Sequence, residues 1–289
     1  MSANIANFNA LKKLRTARGL TQQQLAEALE TTQQTVARWE RGKNEIPVTQ
    51  LKELALFFDV SVDKVLGIKT PHDERAKSPF AFDSANATAP YGTLELTLTT
   101  GTLKYPIEER ARESLLHQLD KLDVQNPDGR RPWVYCWSLD NRILFANPDD
   151  LRQIDLIGDD VQATPPFEHP EVYQALEDWE APEYEVGERV TARCNALFEL
   201  IGEENAVRQT THAHVLSRDG EESWHFLLEP DDALGFWTLE LEAMTHIPRN
   251  RFIRVEQEGY YRDCFINLSQ VALIEIPANR YLRLNGMDG

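Results

Sequence analysis

From Phe8 to Leu66 apolar residues recur every three or four positions, a period that predicts a series of short amphipathic helices. Phe8, Leu11 and Leu14 mark the inward face of a first helix over 8–18, and Gly19 suits the residue just past its end. Thr21 with Gln24 three positions later is a capping box, so a second helix starts at Gln22 and turns Leu25, Ala26 and Leu29 inward. Thr32 is the N-cap of a third helix. In that helix Val36 and Trp39 face inward, while Gln33, Gln34, Ala37, Arg38 and Arg41 share the opposite face, which carries no carboxylate. Pro47 opens a fourth helix through about Phe58, with Leu51, Leu54, Ala55 and Phe58 on one side, and Ser61 caps a short fifth ending near Gly67.

The period then changes. Thr70 to Pro90 holds three prolines and no sustained periodicity, which reads as a linker in which Phe80 and Phe82 are the large apolar residues. Beyond it Leu94, Leu96 and Leu98 alternate with polar residues as in a strand, Thr100-Gly101 turns the chain, and Leu103 and Tyr105 follow. Pro106 is expected to open a helix over 107–122 with Leu115, Leu116, Leu119 and Leu122 as its stripe, and Asn126 to Pro132 is a turn. Strands are predicted at 133–139, 143–147 and 154–157, helices at 171–179 and 188–200, and from Thr210 strands at 211–217, 223–228, 236–242, 252–256, 262–267, 271–276 and 280–284. Phe145, Asn147, Leu151, Ile154, Asp155 and Leu156 recur as Phe265, Asn267, Val271, Ile274, Glu275 and Ile276 at a constant offset of 120. Duplication of a small α+β unit and coincidence between alternating strands both produce such a match.

The expected architecture is therefore multidomain: an all-α five-helix domain over 1–69, a linker over 70–90, and a strand-rich α+β region of two related units over 91–185 and 186–289. Charge divides along the same line. The net charge is −17, yet residues 1–69 hold 10 Lys plus Arg against 7 Asp plus Glu, and the remainder holds 20 against 40. An acidic body is repelled by a phosphate backbone, so contact with nucleic acid is expected from the first domain alone.

The polar face of the third helix has matching chemistry. A glutamine amide presents a donor beside an acceptor, complementary to N6 and N7 of adenine, and an arginine fork fits O6 and N7 of guanine. Free amides at a helix start suit phosphate, which makes Gln22 a candidate backbone contact. Over roughly this first quarter the chain resembles the Cro/C1-type (XRE) helix-turn-helix family, and Thr31 to Thr35, TTQQT, looks like the recognition helix of lambdoid phage repressors. Leu11, Arg15, Gly19-Leu20-Thr21, Leu25-Ala26, Thr32, Trp39 through Lys43, Pro47, Leu51, Leu54-Ala55, Val60-Ser61 and Val65-Leu66 all stand where the family pattern expects them. The resemblance implies that Gln33, Gln34 and Arg38 read bases, that Gln22, Thr32, Thr35, Arg41 and Lys43 lie along the phosphates, and that Arg15 pairs with Glu40 inside the domain. Glu30 departs from the glycine common in relatives, and Glu45 and Val48 stand where the phage repressors tend to be basic.

Other chemistries leave weaker traces. The Ala-Gly or Cys-Gly pair cleaved in self-processing phage repressors is missing, as are HExxH, GxSxG, phosphate-loop and GxGxxG motifs. His212, His214 and His225 could approach one another on strands, but solvated imidazoles are the commoner arrangement; no metal, cofactor or catalytic site is expected. Paired acids, Asp149-Asp150, Asp159-Asp160, Glu203-Glu204 and Asp231-Asp232, read as solvated loops, and Cys136, Cys194 and Cys264 as reduced thiols. No apolar run approaches a membrane span and no secretory core is evident, so a cytoplasmic protein is expected. The function that follows is a sequence-specific transcriptional regulator, a repressor by occupancy, that reads a palindromic DNA operator as a homodimer or higher homo-oligomer. The C-terminal region would supply the oligomer, with Trp133, Tyr135, Trp137, Trp224 and Trp237 as candidate contacts, or would bind a small-molecule or protein effector. The alternative is an antitoxin-like or phage-defence regulator whose acidic region holds a partner protein.

Overall fold

Local capping sets the helices of the N-terminal region in the computed structural model, which describes residues 9–68, 92–122, 132–158, 164–179, 186–227, 235–239, 252–255 and 264–284. Phe8, the linker 70–90 with Phe80 and Phe82, most of the 126–132 turn, and the acid pairs Asp159-Asp160 and Asp231-Asp232 lie outside the described residues. Helices α1 (Asn9–Ala17), α2 (Gln22–Ala28), α3 (Gln33–Glu40), α4 (Val48–Phe58) and α5 (Val62–Leu66) follow one another. Thr21 accepts from the Gln24 amide while the Gln24 side chain accepts from the Thr21 amide, Thr32 caps α3 and Ser61 caps α5. Their inward faces, among them Leu11, Leu25, Val36, Trp39, Leu54, Phe58 and Val65, form one core.

The chain divides into two compact units, and the division crosses the sequence order: residues 169–200 belong with 1–87, and 88–168 with 201–288. The expected boundaries at 91–185 and 186–289 do not anticipate this, because α7 (Pro170–Glu177) and α8 (Glu188–Ile201) find their partners on the N-terminal helices. His169 caps α7 through Nδ1 and donates from Nε2 to the Val60 carbonyl at 3.3 Å. The buried Glu53 carboxylate of α4 accepts the Arg189 and Val190 amides at 3.0 and 3.3 Å, where unpaired donors and the positive helix end both favour an anion. A Cβ at Gly187 would stand 2.1 Å from that carboxylate. Gly187→Ala should therefore displace Glu53 and destabilise this unit by about 1–2 kcal/mol, the cost of a lost cap; an unaltered thermal melt of the full chain would show that the cap carries no stability.

Among the described residues the second unit holds three sheets. Strands β1 (Gly92–Leu98), β2 (Thr102–Ile107) and β5 (Leu151–Gly158) pair in the order β2-β1-β5. Strands β3 (Val134–Ser138), β4 (Arg142–Ala146), β6 (His212–Ser217), β7 (Glu222–Phe226) and β10 (Val271–Pro277) form the order β3-β4-β10-β6-β7, and β8 (Phe252–Val255) pairs with β9 (Cys264–Asn267). Leu94, Leu96 and Leu98 of β1 pack with Leu144, Leu216 and Leu273 and with Ala111 and Leu115 of α6 (Glu109–Leu122).

A common pattern runs through both halves. β7-β6-β10 repeats the order β2-β1-β5, and β8 pairs β9 as β3 pairs β4. The pairing slips past Arg152 on β5 and past Ala272 on β10, 120 residues apart. Asn147 and Asn267, at the same offset, each accept the amide two residues on at 3.1 Å.

Several local expectations are corrected. Pro106 lies inside β2 opposite Thr93, tolerated because β2 is an edge strand, and the helix starts at Glu109. Leu116 faces solvent on α6, where Ala111 and Leu115 are buried. Of the strand expected at 236–242, residues 240–242 lie outside the described residues, and the first part is a 3-10 turn over Gly235–Thr238, in which consecutive Phe236 and Trp237 are both buried, which a pleated strand with one outer face does not allow. The strand expected at 280–284 is α10 (Ala278–Leu284), with Tyr281 and Leu282 both buried and Asn141 Oδ1 accepting the Asn279 amide at its start. Helix α9 (Glu203–Thr211) escaped detection because its buried side is largely polar: Gln209, Thr210 and Thr211 beside Ala206. Asp150 is buried with Arg218 Nε at 2.8 Å rather than solvated, while Glu203 and Glu204 are exposed.

Candidate nucleic-acid interface

Two helices and one strained residue set the candidate reading face. Between α2 and α3 the backbone reverses at Glu30, which takes φ +51 where glycine would cost least, and the Thr31 amide bonds back to Ala26 O at 2.9 Å. Thr32 then closes the start of α3, its hydroxyl receiving the Thr35 amide and lying 2.9 Å from the Thr35 hydroxyl. Val36 and Trp39 are buried against Leu25 and Ala26, which fixes the rotation of α3 and leaves Gln33, Gln34 and Arg38 exposed on its outer side. Among the described residues none of these three side chains has a hydrogen bond or ion pair to the protein, so their full donor and acceptor capacity faces outward. Arg41 and Lys43 are exposed just beyond the helix. Val48, 68% exposed, and Glu45 stand in the loop and helix start that follow, where no cation supplements the face.

Beneath this face lies an ionic group. Arg15 Nε donates to Glu40 Oε1 at 2.5 Å and its Nη2 to Oε2 at 3.2 Å, while Nη1 reaches the Leu20 carbonyl at 2.6 Å. Gln22 Nε2 donates to the same Glu40 carboxylate at 2.7 Å. The fork therefore ties α1 to the end of α3, and Gln22 ties in the start of α2. Gln22, half-buried, is held by this bond with its amide nitrogen turned inward; the other candidate phosphate positions, Thr32, Thr35, Arg41 and Lys43, border the exposed face, with Thr35 half-buried.

The histidines considered for metal do not converge. His212 and His214 lie on one side of β6, but His214 Nδ1 is 2.7 Å from the buried Glu275 carboxylate, and His225 pairs with Ala213 and so belongs to the other side of the sheet. Cys136 and Cys194 are buried free thiols and Cys264 is half-buried.

Residues that sequence reasoning missed support the interface from behind. Arg18 donates to the Phe57 and Phe58 carbonyls at 2.6 and 2.7 Å, filling acceptors at the end of α4. Arg189 donates to the Ala28 carbonyl at the end of α2 and stacks over Phe57. Neither role had a local signal: Arg18 stands 39 and 40 residues from its acceptors and Arg189 161 residues from Ala28.

Residues 11–65 match the model of the helix-turn-helix family. The HTH-type transcriptional activator BcrR of Enterococcus faecalis is 41% identical over 56 residues, which amount to 19% of this chain and 28% of that protein. The chain thus spans under a third of the curated relative it matches. A transcriptional regulator from Listeria innocua, known from its crystal structure, is 30% identical over 22% of this chain and 60% of its own, with a TM-score of 0.21. Hydroxypropylphosphonic acid epoxidase from S. wedmorenis is 19% identical over 58% of this chain and 89% of its own, with a TM-score of 0.22. Residues 11–65 are a helix-turn-helix domain of the Cro/C1 (XRE) type.

Proposed function

We propose that this chain is a sequence-specific DNA-binding transcriptional regulator, and the observation that carries the reading is the exposed, carboxylate-free face of Gln33, Gln34 and Arg38 on α3. Inserted into a major groove, the two glutamines at the start of the helix meet base edges first and Arg38 one turn later. Arg41 and Lys43 would hold the phosphates. Two copies on a palindrome would place their recognition helices about 34 Å apart, and occupancy of a promoter then represses. A single domain with a net charge of +3 over residues 1–69 neutralises few phosphates, so pairing is what raises affinity without adding a new contact. The remainder of the chain, in this reading, holds the copies together or receives an effector and performs no catalysis. We read residues 92–158 and 212–277 as two copies of one strand arrangement, supported by the recurring strand order and the paired slips at Arg152 and Ala272.

Gln34→Ala should weaken binding to the specific site by about 1–3 kcal/mol and relax the preference at one base pair, while Lys43→Ala should weaken all sequences alike and reduce the salt slope by about 1. Titration of operator and scrambled DNA over a salt series measures both. An equal loss on both duplexes for Gln34→Ala would remove it from the base-reading set.

A further inference from the structure

We propose that β7 is the surface through which two copies of this chain pair, edge to edge and antiparallel about a two-fold axis at Trp224. The proposal rests on the homodimer reading above and assigns it a surface.

β7 is the outer strand of its five-stranded sheet, and all of Glu222–Phe226 except His225 is exposed. Trp224 and Phe226 are 36% and 45% exposed. The strand has no lysine, proline or bulge, the usual features that stop an edge from pairing. Its free side follows from the ladder. Ser217 donates to the Glu221 carbonyl and Leu227 to the Thr211 carbonyl, so hydrogen-bonded pairs with β6 fall at 221, 223, 225 and 227. Glu222, Trp224 and Phe226 consequently direct both backbone N–H and C=O away from β6, on the side where no further strand pairs among the described residues.

Antiparallel pairing of that edge with itself sets Trp224 against Trp224 of the second copy and Glu222 against Phe226, joining two five-stranded sheets into one of ten strands. Charge complementarity favours this occupant. The protein carries −17, and two acidic bodies repel, yet this strip has two guanidinium groups stacked on its aromatic rings: Arg208, which also pairs with Glu204 of its own helix, lies 5.3 Å from the Trp224 centroid, and Arg280 5.8 Å from that of Phe226. The proposed register brings each Glu222 carboxylate to the ring beneath the Arg280 of the other copy. Trp224 is pre-positioned for the contact, stacked on His214 at 4.4 Å with the imidazole held by Glu275.

The test uses the full chain. Sedimentation should show a dimer, and Trp224→Lys should raise its dissociation constant at least about tenfold while leaving the far-ultraviolet spectrum unchanged. Independently of any destabilisation by lysine, Trp224→Cys should cross-link on mild oxidation, because facing Cα atoms in a hydrogen-bonded pair lie about 5.5 Å apart, within disulfide reach. Glu222→Cys should not cross-link, its two copies being about 14 Å apart along the strands. A wild-type dimer in which Trp224→Lys is without effect and Trp224→Cys fails to cross-link would overturn the surface and leave the homodimer reading intact. A wild-type monomer, both with and without operator DNA, would overturn both.

Discussion

Glu275→Ala is expected to cost the β-rich unit about 3–5 kcal/mol, because it removes the acceptor shared by the buried Tyr105 and His214 and the half-buried Arg142. Tyr105 Oη donates to Glu275 Oε1 at 2.5 Å, Arg142 Nη1 donates to the same oxygen at 3.0 Å, and His214 Nδ1 is 2.7 Å from Oε2. Without the carboxylate, the Arg142 guanidinium keeps, among the described residues, the Asp140 contact at 3.4 Å, and the buried tyrosine hydroxyl loses its acceptor. Urea denaturation at neutral pH reads the loss directly. Glu275→Gln, which retains an acceptor oxygen without the charge, should recover part of it, and a full recovery would show that hydrogen bonding rather than charge holds the group.

The same site sets an acid limit. Burial pushes the Glu275 carboxyl up, but Arg142, His214 and Tyr105 together outweigh it and bring the group to about 2 from its ordinary 4.5. Since the folded state binds this proton more weakly than the unfolded chain, the carboxylate's contribution is whole above about 4.5 and is lost as pH falls toward 2. Glu108 acts in the opposite sense. Burial raises it to about 7 against the Trp137 indole and Arg110, so its contribution is whole below about 4.5 and is lost as pH rises through 7. Glu108→Gln should therefore flatten the decline between about pH 4.5 and 7 and leave the loss below about 4.5 as it is.

Glu40→Ala should be comparably damaging in the N-terminal unit, at about 3–5 kcal/mol, because Arg15 stays buried with its charge unopposed. The substitution also releases Gln22, so it frees α2 and the end of α3 from α1 in one step. Amides of residues 9–68 in the full chain should exchange about 10²- to 10³-fold faster, while those of β1 and β10 keep their rates. Unchanged exchange in the helices would mean that the pair adds nothing to stability. Arg15→Met combined with Glu40→Leu, an apolar replacement of the whole pair, should recover much of the loss, which separates an unpaired charge from lost volume.

The N-terminal domain was legible because its determinants are local. Thr21 and Gln24, Thr32, Ser61 and Gly67 each act within one helical turn, and Val36 and Trp39 set the outer face of α3 by helical geometry alone. The Arg15–Glu40 pair came from family resemblance, since 25 residues separate them and nothing local joins them. The strands of the C-terminal region were mostly visible from alternation at β1, β3, β4 and β6, and the offset of 120 between β5 and β10 could be read in the chain. Alternation names the face of a strand but not its neighbour, so the order β3-β4-β10-β6-β7 was decided only in three dimensions.

By itself the sequence determined a capped helix-turn-helix with a Gln- and Arg-bearing outer face, and a strand-rich acidic remainder. Tertiary structure alone decided that residues 169–200 join the N-terminal helices, where Glu53 meets an α8 amide 136 residues away, and that Tyr105, Arg142, His214 and Glu275 share one buried site. The physical reason is the same in both cases. A cap or a periodic face is fixed by neighbours within one turn, whereas a buried carboxylate is stable only beside donors that the folded chain carries in from elsewhere, and no local pattern records where those donors are.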